Sequence, residues 1–310
     1  MPLCSAPGKM ILFGEHAVVF GRPALALAID LRISCVVHPS DQYTVNRHPM
    51  KKRHHAYISA SLDEAWEGGP INVDTLSVIP AASGLGSSAA VTVACVAALT
   101  TVKGKLDPEK IARKAFEVEN KVQGMASPTD TSTSTHGKGV LVSPHKLDDL
   151  LWKIEKGGVS WNIHHCDVPP LKFVVGYTGI HAATGPLVTK VRKLVETDES
   201  ARKALDDIEE IVLAGVDAIK KSDKRKLGDL MNENHRLLNQ LGVGHASLDK
   251  LVEACKGHSY GSKLTGAGGG GSMITLTDEP DKVSKAIEMA GGEAIPVLVG
   301  CDGVRIEGRA

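Results

Sequence analysis

Apolar and polar residues follow one another along the first part of the chain in patterns that predict strands and helices. Residues 10–20 and 24–37 are rich in Ile, Leu, Val and Ala, which favours short strands. Residues 71–79 alternate as a half-buried strand does, whereas 51–67 have the pattern of a helix with a polar face. An apolar stretch predicts a buried helix over about 87–101.

The following helix carries recognisable end signals. Asp107 stands before Pro108 and Glu109, which is the order of an N-cap, a first-turn proline and an acidic residue. We expect this helix to run to about Val122 and to end at Gly124. Beyond it, the segment 126–142 is rich in hydroxyl residues and then turns apolar.

A change of pattern divides the chain into two parts. Residues 143–170 are polar and end on a pair of prolines, and Leu171–Tyr177 then predicts a strand. The remaining predicted elements are helices near 186–195, 200–221, 225–240, 246–257 and 280–290, and strands at 263–264, 272–277, 294–299 and 303–307. The pattern predicts an α+β protein with two domains, 1–168 and 169–310.

Composition and charge narrow the class of protein. The 310 residues include 36 Lys and Arg against 36 Asp and Glu, and aromatic residues make up only 4%, so nucleic acid is not an expected partner. The six cysteines lack the C-x-x-C spacing of a zinc or redox site, which fits a reducing compartment. No signal peptide or membrane-spanning apolar run is recognisable, so we expect a soluble, cytoplasmic protein.

The loop before the buried helix has the features of a phosphate-binding site. Gly84, Leu85, Gly86, Ser87 and Ser88 lead directly into the helix. Glycines let backbone N–H groups approach an anion, and the helix N-terminus adds a partial positive charge. Two hydroxyls add donors and possible Mg²⁺ ligands. The alternative is a glycine-rich turn that only caps the helix.

A second glycine-rich segment, 266–271, matches the pattern G-x-G-x-x-G. It does not open a helix, because the chain continues as a predicted strand from Ser272, so a dinucleotide-binding site is not expected. We interpret the segment as a backbone loop packed against a ligand or another loop. The chain contains neither a Walker P-loop nor the H-R-D motif of protein kinases.

Several charged residues stand where burial would be costly. Lys9 precedes an apolar run and is either surface or directed into a site; Glu15 and His16 end that run and are either a hydrogen-bonded pair or functional. Of Glu117 and Glu119, which cannot share one helix face, one is expected to point inward. Asp130 follows Pro128 and Thr129, where an Asx-turn or N-cap is an equal alternative to a functional role.

Four blocks together resemble the GHMP kinase superfamily: PGKMILFGEHAVVFG at 7–21, IPAASGLGSSAA at 79–90, ASPTDTSTSTHG at 126–137 and KLTGAGGGG at 263–271. The first block is similar to that of the mevalonate kinases, since phosphomevalonate kinases usually have Tyr where His16 stands, and the length resembles the shorter archaeal forms. The resemblance implies a ribosomal-protein-S5-like N-terminal domain, a ferredoxin-like C-terminal domain and a site between them. Gly185 and Pro186 depart from the family's usual Thr-Lys stretch.

The resemblance also implies an activity: transfer of the γ-phosphoryl group of ATP to the 5-hydroxyl of (R)-mevalonate, with Mg²⁺ as cofactor. The alternatives are another small-alcohol kinase, acting on phosphomevalonate or homoserine, or a non-catalytic ligand sensor. Family analogy further suggests a homodimer.

Residue roles follow from the same resemblance. Asp130 accepts or orients the proton of the attacking hydroxyl, and Lys9 pairs with Asp130. Ser88 and Glu119 hold Mg²⁺. Glu15, His16 and Thr178 contact the substrate. The ATP phosphates lie against Gly84, Leu85, Gly86, Ser87, Ser88, Gly266, Gly268 and Gly269.

Overall fold

The computed structural model describes residues 1–80, 83–124, 126–181 and 183–309. Within these ranges the elements of the first part of the chain are strands β1 (Pro2–Phe13), β2 (Ala24–Pro39), β3 (Thr44–Val45), β4 (His48–Pro49), β5 (Ile71–Ser77), β6 (Gly139–Ser143), β7 (Leu150–Lys156) and β8 (Val159–Cys166), and helices α1 (Ala56–Ala65), α2 (Ser87–Thr101), α3 (Pro108–Gln123) and α4 (Thr129–His136). A short 3₁₀ turn covers Ala17–Phe20.

The second part of the chain contains helices α5 (Thr184–Thr197), α6 (Glu199–Lys220), α7 (Lys224–Gln240), α8 (Ala246–Cys255) and α9 (Pro280–Met289). Its strands are β9 (Lys172–Tyr177), β10 (Gly261–Thr265), β11 (Ser272–Leu276), β12 (Glu293–Leu298) and β13 (Arg305–Arg309). Both parts of the chain thus combine strands with helices without a regular alternation of the two, as the α+β prediction requires.

The larger sheet is built around β2. Its strand order is β4-β3-β5-β2-β6-β8-β7, and β1 pairs with both β2 and β13. The pairing of β3 with β5 is parallel, and the other pairs described for this sheet are antiparallel. Because β13 pairs with β1, the end of the chain returns to the sheet of the first part, and the domain boundary at 168/169 stays a prediction.

The smaller sheet has the order β10-β11-β9-β12 and is antiparallel throughout. Helices α7, α8 and α9 pack on its strands, and α6 packs against α7 and against β1 and β2. One apolar cluster runs from the larger sheet into the smaller one, joining Phe13 and Leu25 to Phe173 and Ile274. Burial of this shared core holds the two sheets together and fixes the position of the cleft between them.

Helix α2 follows directly from its sequence. It is apolar on every side and is buried from Ala89 to Leu99 apart from Val91, which is typical of a helix inside a core. Helix α3 begins as predicted: Pro108 is its first residue, and the Asp107 side chain accepts a hydrogen bond of 3.1 Å from the backbone N–H of Lys110. Both helices match their predicted ranges within a residue or two.

The predicted strand at 10–20 is wrong beyond Phe13. Gly14 has φ 96°, and a Cβ there would lie 2.5 Å from Cα of Ala24, so the chain turns tightly instead of extending. The predicted helix at 51–67 is shorter than expected, since α1 begins only at Ala56.

Several elements were not predicted, among them the short strands β3 and β4, helix α4, and strands β7 and β8. Helix α4 consists mainly of Thr and Ser, and two of its buried hydroxyls are satisfied inside the helix: Thr133 and Thr135 each donate to the carbonyl four residues earlier, at 2.7 Å. Strands β7 and β8 lie in the segment 143–170, for which the sequence indicated only polar character. They bury only a few side chains, among them Trp152 and Ile163, so their polar exposed faces masked the pattern. No helix in the described ranges has both the length and the apolar character needed to cross a bilayer.

Candidate active site

The predicted phosphate loop lies on β1 and opens onto the N-terminus of α2. Gly84 and Gly86 both have φ 76°, a left-handed conformation that favours glycine. The backbone N–H of Lys9 donates to the carbonyl of Leu85 at 2.9 Å, and a Cβ on Gly86 would lie 2.8 Å from Cγ of Lys9. The glycines therefore let the loop approach the Lys9 side chain. Residues 81–82 of the predicted motif lie outside the described ranges.

The second glycine-rich loop lies beside the first. Ser272 Oγ donates to the carbonyl of Ser83 at 2.6 Å, and a Cβ on Gly266 would lie 4.0 Å from the carbonyl oxygen of Gly84. The loop is held from behind by the N–H of Gly269, which donates to the carbonyl of Val243 at 2.8 Å. This arrangement matches the interpretation of 266–271 as a loop packed on another loop.

Gly268 shows why this second loop is glycine. Its φ is 80°, and a Cβ there would lie 2.0 Å from the carbonyl oxygen of Val243. Any larger residue would push the loop away from its support and change the spacing between the two loops.

Lys9 and Asp130 meet at the mouth of the phosphate loop. Lys9 Nζ lies 3.1 Å from Asp130 Oδ2 and donates to the carbonyl of Gly84 at 3.2 Å. The Lys9 side chain is 4% exposed and that of Asp130 is 30% exposed. Lys9 is thus directed into a site rather than solvated at the surface.

Asp130 sits in the first turn of α4, whose N-cap position is occupied by Pro128 without a side-chain capping bond. The carboxylate is therefore not the N-cap of this helix. It reaches across to Lys9.

Ser88 and Glu119 form a second polar pair close by. Ser88 Oγ donates to Glu119 Oε1 at 3.1 Å, and Gln123 Nε2 donates to the same oxygen at 3.4 Å. Burial raises the pKa of Glu119 to about 8, with a further contribution from the charge of Asp130, while the Ser88 hydrogen bond and Lys9 oppose the shift. Glu117 instead forms an exposed ion pair with Lys156, so Glu119 is the inward-pointing member of the two.

This donor set fits Mg²⁺ bound together with a nucleotide. A hydroxyl and a carboxylate are oxygen ligands of the kind Mg²⁺ prefers, and the raised pKa of Glu119 reflects a buried carboxyl that lacks a compensating cation. Among the described residues no group of three or more His, Cys, Asp and Glu side chains could hold a metal by itself. The site accordingly suits an ion that takes its remaining ligands from phosphates and water.

Glu15 and His16 lie at the other end of the cleft, in the turn after β1. Glu15 pairs with Lys263 of β10, not with His16, and both partners are fully buried. His16 Nε2 lies 3.0 Å from the carbonyl oxygen of Ala267 in the second glycine-rich loop. His16 has φ 62°, an unfavourable conformation for a residue other than glycine, and such strain is concentrated at functional sites.

Lys263 is the site residue that sequence analysis missed. It opens the KLTGAGGGG block, and its partner Glu15 ends an apolar run. A buried carboxylate is normally paired, so the position of Glu15 in the sequence indicated that it needs a partner. The sequence did not identify which side chain that partner would be.

Thr178 holds the second loop. Its Oγ1 donates to the carbonyl of Gly271 at 2.8 Å, and its backbone N–H donates to the same oxygen at 2.9 Å. In this structure its contacts are therefore with the loop, and its predicted contact with substrate stays a prediction.

Comparison with known proteins places this geometry in a family. A sequence model of the N-terminal domain of GHMP kinases matches residues 53–138, and a model of their C-terminal domain matches 216–294. A mevalonate kinase of Thermococcus sibiricus is 35% identical over 344 aligned positions, covering 98% of this chain and 98% of that protein. A mevalonate kinase of Pyrococcus horikoshii is 36% identical and covers 98% and 97%.

Solved structures agree with these relatives. The crystal structure of L. major mevalonate kinase in complex with R-mevalonate has a TM-score of 0.80 at 26% identity, covering 96% of each chain. A Streptococcus pneumoniae phosphomevalonate kinase, at 19% identity and a TM-score of 0.79, shares the fold. The resemblance and the fold class inferred from the sequence are confirmed.

Proposed function

The chain belongs to the GHMP kinase family, on its mevalonate kinase branch, and we propose that Lys9, Glu119 and Asp130 carry its phosphoryl transfer. Its reaction is the ATP-dependent phosphorylation of an alcohol, the 5-hydroxyl of (R)-mevalonate, in isoprenoid biosynthesis. The observation that carries the residue assignment is the contact of 3.1 Å between Lys9 Nζ and Asp130 Oδ2 beside the phosphate loop.

The two glycine-rich loops bind the phosphates of ATP. The loop from Gly84 to Ser88 presents backbone N–H groups and the positive end of α2, and Gly266, Gly268 and Gly269 line the facing side. Because the chain has equal numbers of acidic and basic residues, these local groups supply the attraction for the nucleotide.

Asp130 takes the proton that the alcohol loses as its oxygen attacks the γ-phosphorus. The bond between that phosphorus and the leaving oxygen breaks at the same time, so ADP departs and the proton remains on the carboxylate. Lys9 holds Asp130 in place and offsets the negative charge that spreads over the transferring group. The partial exposure of Asp130 leaves one side of the carboxylate open to the alcohol.

Ser88 and Glu119 would hold Mg²⁺ against the phosphates. When bound there, the ion supplies charge neutralisation at the phosphate oxygens. Ser88 lies in the first turn of α2, so its hydroxyl is already placed next to the loop amides. The hydrogen bond from Ser88 orients the Glu119 carboxyl toward the Ser88 hydroxyl.

Two further expectations belong to this proposal. The six cysteines are free, and five of them are buried, which supports a reducing compartment such as the cytoplasm. The substrate partners are ATP and mevalonate, held between the larger and the smaller sheet.

The test measures ADP release with MgATP against mevalonate, phosphomevalonate, homoserine and galactose. We expect turnover with mevalonate, and we expect Asp130→Ala to lose most of kcat while still binding ATP. Asp217→Ala is the matched control, because Asp217 also pairs with a lysine, Lys221 at 2.7 Å, but on the exposed face of α6. Near-normal turnover by Asp130→Ala would contradict the assignment of Asp130 as the proton acceptor. Turnover with another of these alcohols but not with mevalonate would show that the substrate is a different alcohol.

A further inference from the structure

The contact between Glu15 and Lys263 joins the two parts of the chain. Glu15 lies in the turn after β1, and Lys263 lies on β10 of the smaller sheet. Their side chains are 1% and 0% exposed, and Lys263 Nζ donates to Glu15 Oε1 and, at 2.7 Å, to the carbonyl of Leu264. A buried pair of this kind is costly to desolvate, so its presence calls for a role beyond stability.

Two buried polar atoms next to this pair have no partner among the described residues. They are Oε2 of Glu15 and Nδ1 of His16. His16 Nε2 faces the carbonyl oxygen of Ala267, so Nε2 carries the hydrogen. Burial lowers the pKa of His16, which keeps the ring neutral and leaves a lone pair on Nδ1.

Both unpartnered atoms are therefore acceptors. The proton shared between Lys263 and Glu15 lies at Oε1, so Oε2 keeps its lone pairs free. Unsatisfied acceptors are rare in protein interiors and call for a donor from a bound ligand or an ordered water. The hydroxyl groups of a small alcohol are such donors, whereas a phosphate or carboxylate is an acceptor and would be repelled.

We propose that Lys263 is a positioning residue for the alcohol substrate: by occupying Oε1 of Glu15 with a hydrogen bond, it leaves Oε2 as a fixed acceptor for a substrate hydroxyl. This inference rests on the proposed function and adds a residue that acts through Glu15. Lys263 itself does not touch the reacting atoms. Its side chain is fully enclosed, and both of its described acceptors are protein oxygens.

The electrostatic surroundings explain why a cation is needed. Burial raises the pKa of Glu15, and Lys263 opposes that shift, with a smaller contribution from Lys9 of β1. On the other side Lys263 faces His235 of α7, which is hydrogen-bonded to Asp249 of α8. Without Lys263 the buried Glu15 carboxyl takes up a proton, and a neutral acid no longer offers a defined acceptor to the alcohol.

The first test is a double-mutant cycle read out as separate KM values. We expect Lys263→Met to raise KM for mevalonate about tenfold or more, since a hydrogen bond to a charged group is lost. KM for ATP should stay within about twofold, because the phosphate loops are untouched. In a Glu15→Met background, adding Lys263→Met should change KM for mevalonate by less than about twofold, because Lys263 acts through Glu15.

The same double-mutant cycle separates an effect on folding, read from the melting temperature, from an effect on substrate positioning, read from KM for mevalonate. The Glu15→Met/Lys263→Met pair contains no uncompensated buried charge, so its melting temperature should recover relative to Lys263→Met. If Lys263 were merely structural, KM for mevalonate would recover together with the melting temperature. The matched control is Lys224→Met/Asp278→Asn, which removes an exposed pair at 2.6 Å in the same domain and should leave both KM values unchanged.

A second variant carries the test if Lys263→Met does not fold. Lys263→Gln keeps a donor but removes the charge, so protonation of Glu15 becomes easier. Its KM for mevalonate, divided by the wild-type value at the same pH, should rise as the pH falls from about 8.5 to about 6. A flat ratio, or an unchanged KM in folded Lys263→Met, overturns the inference. If the wild type shows no turnover with mevalonate, the proposed function fails instead.

Discussion

On the proposed assignment of Glu119 as a Mg²⁺ ligand, Mg²⁺ binding should release a proton from this carboxyl. Its pKa of about 8 follows first from burial and then from the charge of Asp130. A metal ligand must be deprotonated, so Mg²⁺ competes with the proton for this carboxylate. Below the pKa, each fall of one pH unit should weaken Mg²⁺ binding up to about tenfold. This corresponds to about 1.4 kcal/mol of binding free energy.

The assay is titration calorimetry of Mg²⁺ into the protein saturated with ATP analogue, at about pH 6.5, 7.0 and 8.5 and in two buffers that differ in ionisation enthalpy. The dependence of the heat on the buffer counts the protons released. We expect close to one proton at the lower pH values and far fewer above the pKa of about 8. Glu119→Gln is the matched control, because protons from the nucleotide appear equally in both proteins.

The same pKa gives a sign for stability without ligand. The folded-state pKa of Glu119, about 8, is above its ordinary value of 4.5, so its contribution is fully present below about pH 4.5 and is lost as the pH rises through 8. The free energy of unfolding of the wild type should fall over that window relative to Glu119→Gln. Equal proton release from the two proteins, or parallel stability curves, would refute the assignment of the raised pKa to Glu119.

Three further perturbations test separate parts of the structure. Lys9→Met should lower kcat by about 10²–10³-fold while ATP affinity, measured by fluorescence titration, changes little, because its contact with Asp130 acts mainly on the transition state; equal losses in both would contradict this. Gly86→Ala should lower both the melting temperature and kcat, because its φ is 76° and the new Cβ would lie 2.8 Å from Cγ of Lys9; an unchanged kcat would show that Lys9 adjusts freely. Asp107→Ala should cost about 1 kcal/mol of unfolding free energy in a denaturant titration, through loss of the N-cap bond to Lys110, and leave turnover unchanged.

Local signals identified the elements that carry the phosphate site. The apolar run of α2, the N-cap and proline of α3 and the glycines at 84 and 86 each act within a few residues, so they could be recognised from the chain alone. The roles of Lys9, Glu119 and Asp130 came instead from the resemblance of whole blocks to a family. The structure adds the contacts that bring these three side chains to one place.

Elements whose polarity is satisfied internally escaped recognition. Helix α4 buries six Thr and Ser residues, and the hydrogen bonds of Thr133 and Thr135 to carbonyls of the same helix offset part of the cost of burying them. From the sequence this segment was recognisable only as rich in hydroxyl residues, and no helix was predicted there. The position of β13 beside β1 is likewise a long-range pairing that no pattern within 305–309 specifies.

The sequence by itself determined the class of fold and the glycine-rich loop before α2, because glycine conformation, helix capping and apolar periodicity are properties of neighbouring residues, and the resemblance of four blocks to known kinases indicated the family. Only the tertiary structure decided that Lys263 pairs with Glu15, 248 positions away along the chain. It also left two buried acceptors, Oε2 of Glu15 and Nδ1 of His16, without a partner among the described residues. The cost of burying a carboxylate is fixed by its chemistry, but the cation that offsets that cost is chosen by which strands the fold brings together.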